Sequence, residues 1–286
     1  ELCYSLSVDF EQLYHCSEVT LGVEPEEIEN RFFHSFENRR PEQITYNQLR
    51  QINIPEGLPG NQLHDLVEEF GIEILAYYIP FHFHRPDRPW GIYLRRVGIA
   101  HVRHRLVQIA GRDGYNFQNA LEIPTDVAVD ILLLHELRHH GIEVAFARLE
   151  LLGLGYDDAY QRYIGTKRNN RVLHASTEAI CNANVANQRK PFKTNYQPPR
   201  VPPPLPNLRY ILDWRGYVRQ FMRGQPDGYH DFAQFTGFDS EQVLHSLRFP
   251  VERQELHWDL PQIKNELNKH SSLSILSSLP VPIRVV

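Results

Sequence analysis

The sequence predicts an α+β fold in which a small mixed sheet packs on one long apolar helix and a mainly helical region follows at the C-terminus. Three observations predict it. Val127, Ala128, Val129 and Ile131 to Leu134 are apolar on almost every face of a helix, and such a helix is surrounded by other elements. Strand-like stretches precede it at Ile72 to Leu75, Gly91 to Leu94 and Leu106 to Ile109, parted by loops that carry Pro and Gly. Gln197 to Pro206 holds six prolines in ten residues, so it is neither helix nor central strand and marks a boundary.

Taken in order, residues 1–60 read as an N-terminal helical segment packed on the next unit. Acidic residues alternate with apolar ones from Val23 to Phe36, and Pro55, Gly57, Pro59 and Gly60 punctuate its end. Leu63, Leu66, Val67 and Phe70 then recur at helical spacing, Gly71 stops that helix, and Ile72 begins a strand. Ile99 to Leu106 fits a short helix as well as a loop. Pro124-Thr125-Asp126 reads as the start of the apolar helix, because a Thr or Asp side chain accepts from first-turn amides. Helical character continues to about Leu152, and a further helix is expected from Ala175 to Asn187. The division expected is therefore 1–60, a catalytic-sized unit over 61–196, and a helical extension over 207–286.

Composition excludes several classes. With 42% apolar and 23% charged residues in 286, the chain is neither disordered throughout nor a coiled coil. A net charge of −5 is too mild to imply a nucleic-acid or membrane partner for the whole molecule. Apolar runs such as Ile131 to Leu134 fall far short of a membrane span. Cys3, Cys16 and Cys181 form no CxxC pair, so a reducing, cytoplasmic compartment is expected. The start at Glu1, without Met or a visible signal peptide, leaves an upstream piece and a secreted role open.

The apolar helix runs into His135-Glu136-Leu137-Arg138-His139-His140, which contains HExxH. Two histidines four apart project from one helix face, so both imidazoles reach one ion, and Glu136 beside the first addresses a water on it. Polar groups at the end of an all-round apolar helix are costly unless a metal or strong hydrogen bonds compensate them. A catalytic zinc site needs a third protein ligand, with the fourth place left for water. Glu178, in Ser176-Thr177-Glu178-Ala179-Ile180-Cys181-Asn182-Ala183-Asn184, is the best candidate, and Asn182 falls one turn later to orient a ligating histidine. His174 is the rival. His140 points about 100° off the metal face; Cys181 is a further possible ligand, as a thiolate, though it points off the Glu178 and Asn182 face.

The helix ending in Phe70-Gly71-Ile72-Glu73-Ile74, the strand after it, LLLHELRHH and the downstream EAICNAN together resemble the ImmA/IrrE family of zinc metallopeptidases, over residues 61–190. The broader pattern of HExxH with a distant Glu and a polar residue four later resembles the gluzincins. The resemblance implies a zincin-like domain with Zn²⁺ on His135, His139 and Glu178, and Glu136 as general base. It implies a protein as substrate and a peptide bond as the target. Tyr156, Tyr160, Tyr163 and His174 are then candidate donors to the oxyanion of the transition state.

Two other functions stand beside this one. A degenerate zincin fold could serve as a binding module through the basic and aromatic segment 189–223, in which eight basic residues face one acid, Asp213. A zinc hydrolase of a non-peptide amide would use the same water chemistry. For the basic segment, inward-packed aromatics with solvated arginines are the favoured expectation, and nucleic acid is not. Other signals carry less. Arg200 to Pro206 matches a ligand of an SH3-type groove only as any proline-rich linker does. His82, His84, His101 and His104 are expected to be structural, Gly111 to Gly114 reads as a turn, and Gly91 to Leu94 is either a substrate-binding edge or a core strand.

Overall fold

A four-stranded mixed sheet lies against a 29-residue helix in this computed structural model, which describes residues 42–44, 48, 54, 63, 67–68, 71–83, 89–117, 121–151, 158–186, 193–195, 211–237, 242–243, 246–247 and 281–286. The sheet order is β1 (Glu42–Ile44), β6 (Ile283–Val285), β3 (Gly91–Leu94), β2 (Ala76–Ile79). β6 runs parallel to β3 and antiparallel to β1, while β2 and β3 pair antiparallel, Ala76 opposite Leu94. The helices are α1 (Arg96–Gly111), α2 (Glu122–Glu150), α3 (Ala159–Asn169), α4 (Arg171–Ala186) and α5 (Arg215–Arg223). A two-stranded ribbon pairs β4 (Lys193–Asn195) with β5 (Ile211–Asp213). The coarse α+β expectation is met.

Several local expectations are corrected. Ile72 to Leu75 is not a strand: Gly71–Ile74 is a 3-10 turn, and β2 begins at Ala76. Gly71 has φ +74°, and a Cβ there would lie 2.6 Å from the Tyr229 ring, so both backbone and space require glycine. Leu106 to Ile109 is helix, not strand, because Ile99, Val102, Leu106 and Ile109 recur at three and four and form the buried face of α1. α2 starts at Glu122, before the expected Pro124. Pro124 sits in the first turn, where its missing N–H costs nothing, and Thr125 donates to Leu121 O instead of capping. α4 starts at Arg171 because Asn170 Oδ1 accepts from Leu173 N at 3.0 Å. All four residues of β3 are buried between β2 and β6, so Gly91 to Leu94 is a core strand.

The expected three-part division does not describe separate cores. β1 and β6 bring residues of 1–60 and 207–286 into the same sheet as β3. Trp214, Val218, Phe221 and Met222 around α5, with Phe232 and Val285, join Ile72, Leu75, Val127 and Ile131 in one apolar cluster. Val243 and Leu247 join a second cluster with Ile142, Phe146, Tyr163 and Ile180. The extension expected to be helical also supplies two strands, β5 and β6. Its proline-rich border, the helix expected at 23–36, Tyr156 and His84 lie outside the described residues. Trp214 and Phe221, of the basic segment, pack inward, so these two rings offer no open stacking platform, and Tyr217 donates to Asp113 Oδ2 at 2.8 Å. No helix among the described residues is long and apolar enough to cross a membrane.

Candidate metal centre

α2 and α4 pack side by side, and Asn184 Nδ2 fixes them by donating to Leu134 O, the residue before His135, at 2.8 Å. That places Glu178 of α4 against both histidines of the HExxH helix. Glu178 Oε2 lies 3.1 Å from His135 Nε2 and 3.3 Å from His139 Nε2, and the two Nε2 atoms are 3.2 Å apart. His135 and Glu178 are fully buried, and Glu136 is 1% exposed.

The protonation of His135 follows from its neighbours. Asn182 Nδ2 donates to Tyr229 O at 3.0 Å, which turns Asn182 Oδ1 toward His135 Nδ1, also at 3.0 Å. An amide oxygen only accepts, so Nδ1 carries a ring proton, and the ring when neutral presents a lone pair at Nε2. Lone pairs from His135, His139 and Glu178 therefore converge on one point, and a cation there satisfies all three. Proton affinities differ between the two rings, and on His135 a second proton competes with a cation for Nε2. Burial opposes a charge on His135, yet the Glu178 hydrogen bond and the nearby carboxylates raise its pKa. Burial lowers that of His139 despite Glu178. Burial would raise Glu178, but Lys167 and then His139 hold it well below the usual carboxylate range.

Glu136 is the remaining member of the motif. Its Oε1 is buried without a hydrogen-bond partner, and burial pushes its pKa up to about 8. An unpartnered buried carboxyl oxygen is costly.

Three residues at this site were not anticipated. Lys167 Nζ is 2.8 Å from Glu178 Oε1 and 3.5 Å from Glu73 Oε1. Glu73 Oε2 lies 3.3 Å from His174 Nε2, and Tyr229 donates to it at 3.4 Å while also bonding His174. Lys167 was legible in part, since Tyr160, Tyr163 and Lys167 share one spacing and Lys167 falls on the buried face of α3. Glu73 and Tyr229 carried no local signal. Among the described residues, two donor groups could hold a metal ion: His135, His139 and Cys181, and Glu73, His174 and Glu178. Lys167 Nζ bonds both carboxylates of the second group and supplies its positive charge.

His174 thus stands beside Glu73 and Tyr229, away from the two imidazoles that Glu178 bridges. Tyr160 packs on His82 and Phe146, while Tyr163 shares a hydrogen bond with Thr177 Oγ1 and feels the charges of Lys167 and Glu178. His140 turns off the metal face, its Nδ1 2.7 Å from Tyr78 OH. His82 joins a separate network, its ring on Glu143 and Glu150, with Phe81 and His82 amides and Tyr78 OH also donating to Glu143. Neither donor group includes His82, His101 or His104. Comparison with protein-family models, curated proteins and solved structures finds no match.

Proposed function

We propose that the protein is a zinc metallopeptidase of zincin-like fold that hydrolyses a peptide bond in a selected protein partner. His135, His139 and Glu178 would hold the ion. The observation that carries this reading is the convergence of their three lone-pair atoms at 3.1 to 3.3 Å beside the unpartnered oxygen of Glu136. Zn²⁺ with tetrahedral bonds of about 2.0–2.1 Å sets its ligand atoms roughly 3.3 Å apart, which the donor set matches. A bound ion would polarise the scissile carbonyl and acidify a water.

The chain's own residues do the rest. Glu136 takes a proton from the attacking water and hands it to the leaving amine. Asn182 keeps His135 in the ligating tautomer. A developing oxyanion would be met by His174, partly exposed and backed by Glu73 and Tyr229, or by Tyr163.

Glu136→Gln tests the proposal. It should retain zinc, read by elemental analysis, while hydrolysis of a quenched-fluorescent peptide library falls by about 10²–10⁴-fold. Retention of most of the activity would refute a peptidase mechanism based on Glu136.

A further inference from the structure

Cys181, a possible ligand by sequence despite lying off the Glu178 and Asn182 face, is on the side of α4 that faces the HExxH helix. Its sulfur and the ligand nitrogens of His135 and His139 all lie within 4.8 Å of one another. Glu178 precedes it by three residues and Asn182 follows it, and both already reach His135, so this one turn of α4 turns three polar side chains toward the HExxH helix. The thiol is fully buried, belongs to no disulfide, and makes no hydrogen bond among the described residues. Glu136 Oε1, equally buried and unpartnered, borders the same imidazole pair through the motif. Thiolate with imidazole is a donor set that suits Zn²⁺ and Co²⁺.

We infer that Cys181 is a fourth protein ligand of this centre, giving a His₂–Glu–Cys site that is closed at rest. The inference rests on the metal reading proposed above and adds its regulation. On binding, the Cys181 S–H bond breaks, the sulfur–metal bond forms, and the proton leaves to solvent. Four protein donors leave no place for water. The sulfur must withdraw, and take back a proton, before the site is open for hydrolysis. Cys181 is therefore a gate on the centre and takes no part in the bond-breaking chemistry.

Cobalt reports this directly. The metal-free 286-residue chain is titrated with Co²⁺, and visible ligand-field bands report occupancy while a near-ultraviolet sulfur-to-cobalt charge-transfer band reports the thiolate. The wild type should show both. Cys181→Ser should keep the ligand-field bands, lose the charge-transfer band, and bind cobalt about tenfold or more weakly. Ligand-field bands without charge transfer in the wild type would overturn the inference and leave the metal centre standing, with Cys181 a small apolar core residue. A charge-transfer band that survives in Cys181→Ser would assign it to Cys3 or Cys16 and overturn the inference too. Absence of both kinds of band would overturn the metal reading itself. Should Cys181→Ser not fold, Cys3→Ser/Cys16→Ser, with Cys181 its only cysteine, must keep the charge-transfer band, and its loss there would refute the inference.

Discussion

Lys167 holds Glu178 by one oxygen only: Nζ sits 2.8 Å from Oε1, while Oε2 is the atom turned to His135 and His139. The ammonium thereby leaves one carboxylate oxygen for an ion and cancels the charge of a fully buried acid. Burial works against a charged lysine, but Glu178 and Glu73 raise its pKa well above the ordinary value, so the pair is ionic.

Removing the lysine should therefore cost most where nothing else balances Glu178. Breaking a buried pair leaves an uncompensated charge worth about 3–5 kcal/mol. Lys167→Met should lower the unfolding midpoint strongly in metal-free protein and much less with zinc bound, because the ion takes over the compensation. Thermal unfolding with and without zinc reads the difference, and Lys167→Arg should restore most of it. Equal losses in the two states would show that Glu178 does not face an ion.

The motif residues were legible because their geometry is local. Spacings of four on a helix set His135 with His139 and Glu178 with Asn182 before any tertiary structure is considered. Lys167, Glu73 and Tyr229 reach the same site from three separate segments, and only Lys167 left a trace, as a cation on an otherwise apolar helix face. The sheet was read less well for a related reason. Ile72-Glu73-Ile74-Leu75 alternates as a strand does, yet the positive φ of Gly71 and the adjoining Tyr229 ring set a 3-10 turn there. β6 was invisible, since three residues that pair with β3 across most of the chain leave no local pattern.

Zinc should stabilise the folded chain if the converging lone pairs receive it. Binding to the native state alone raises stability by about 2.7 kcal/mol at a ligand concentration one hundred times Kd. A rise in unfolding midpoint with zinc, reversed by chelator and lost in His139→Ala, is expected. A shift that persists in His139→Ala would locate the ion elsewhere.

The His82 network should give an alkaline limit to stability. Burial disfavours a charged His82, but hydrogen bonds to Glu143 and Glu150 outweigh it and raise the pKa from 6.5 to about 9. The folded state therefore holds the proton more tightly than the unfolded chain. The stabilisation is complete below about pH 6.5 and is lost as pH rises through about 9, at most roughly 3 kcal/mol. Stability measured by denaturant titration should fall over that window in wild type. His82→Gln should flatten the fall, and an unchanged slope would show that His82 is not the titrating group.

The last prediction concerns the chain beyond the prolines. Read from composition, residues 1–196 keep both motifs and should keep metal, and 207–286 should come away as an extension. The packing argues otherwise. Trp214 is fully buried in the main cluster, and losing a core Trp side chain alone costs about 3–5 kcal/mol. Tyr229 O holds the amide of Asn182 that sets the His135 tautomer, and Tyr229 OH meets His174 and Glu73. Loss of β6 would strip a partner from β1 and leave β3, buried along its whole length, as an open edge, a form prone to aggregate. Expressed alone, residues 1–196 should thus be aggregated or lack a cooperative transition, and deletion of 281–286 from the full chain should lower the midpoint markedly. Size exclusion, thermal unfolding and zinc content together decide the matter. A monomeric, cooperatively unfolding, zinc-binding 1–196 fragment would return the C-terminal region to the standing of a separable extension.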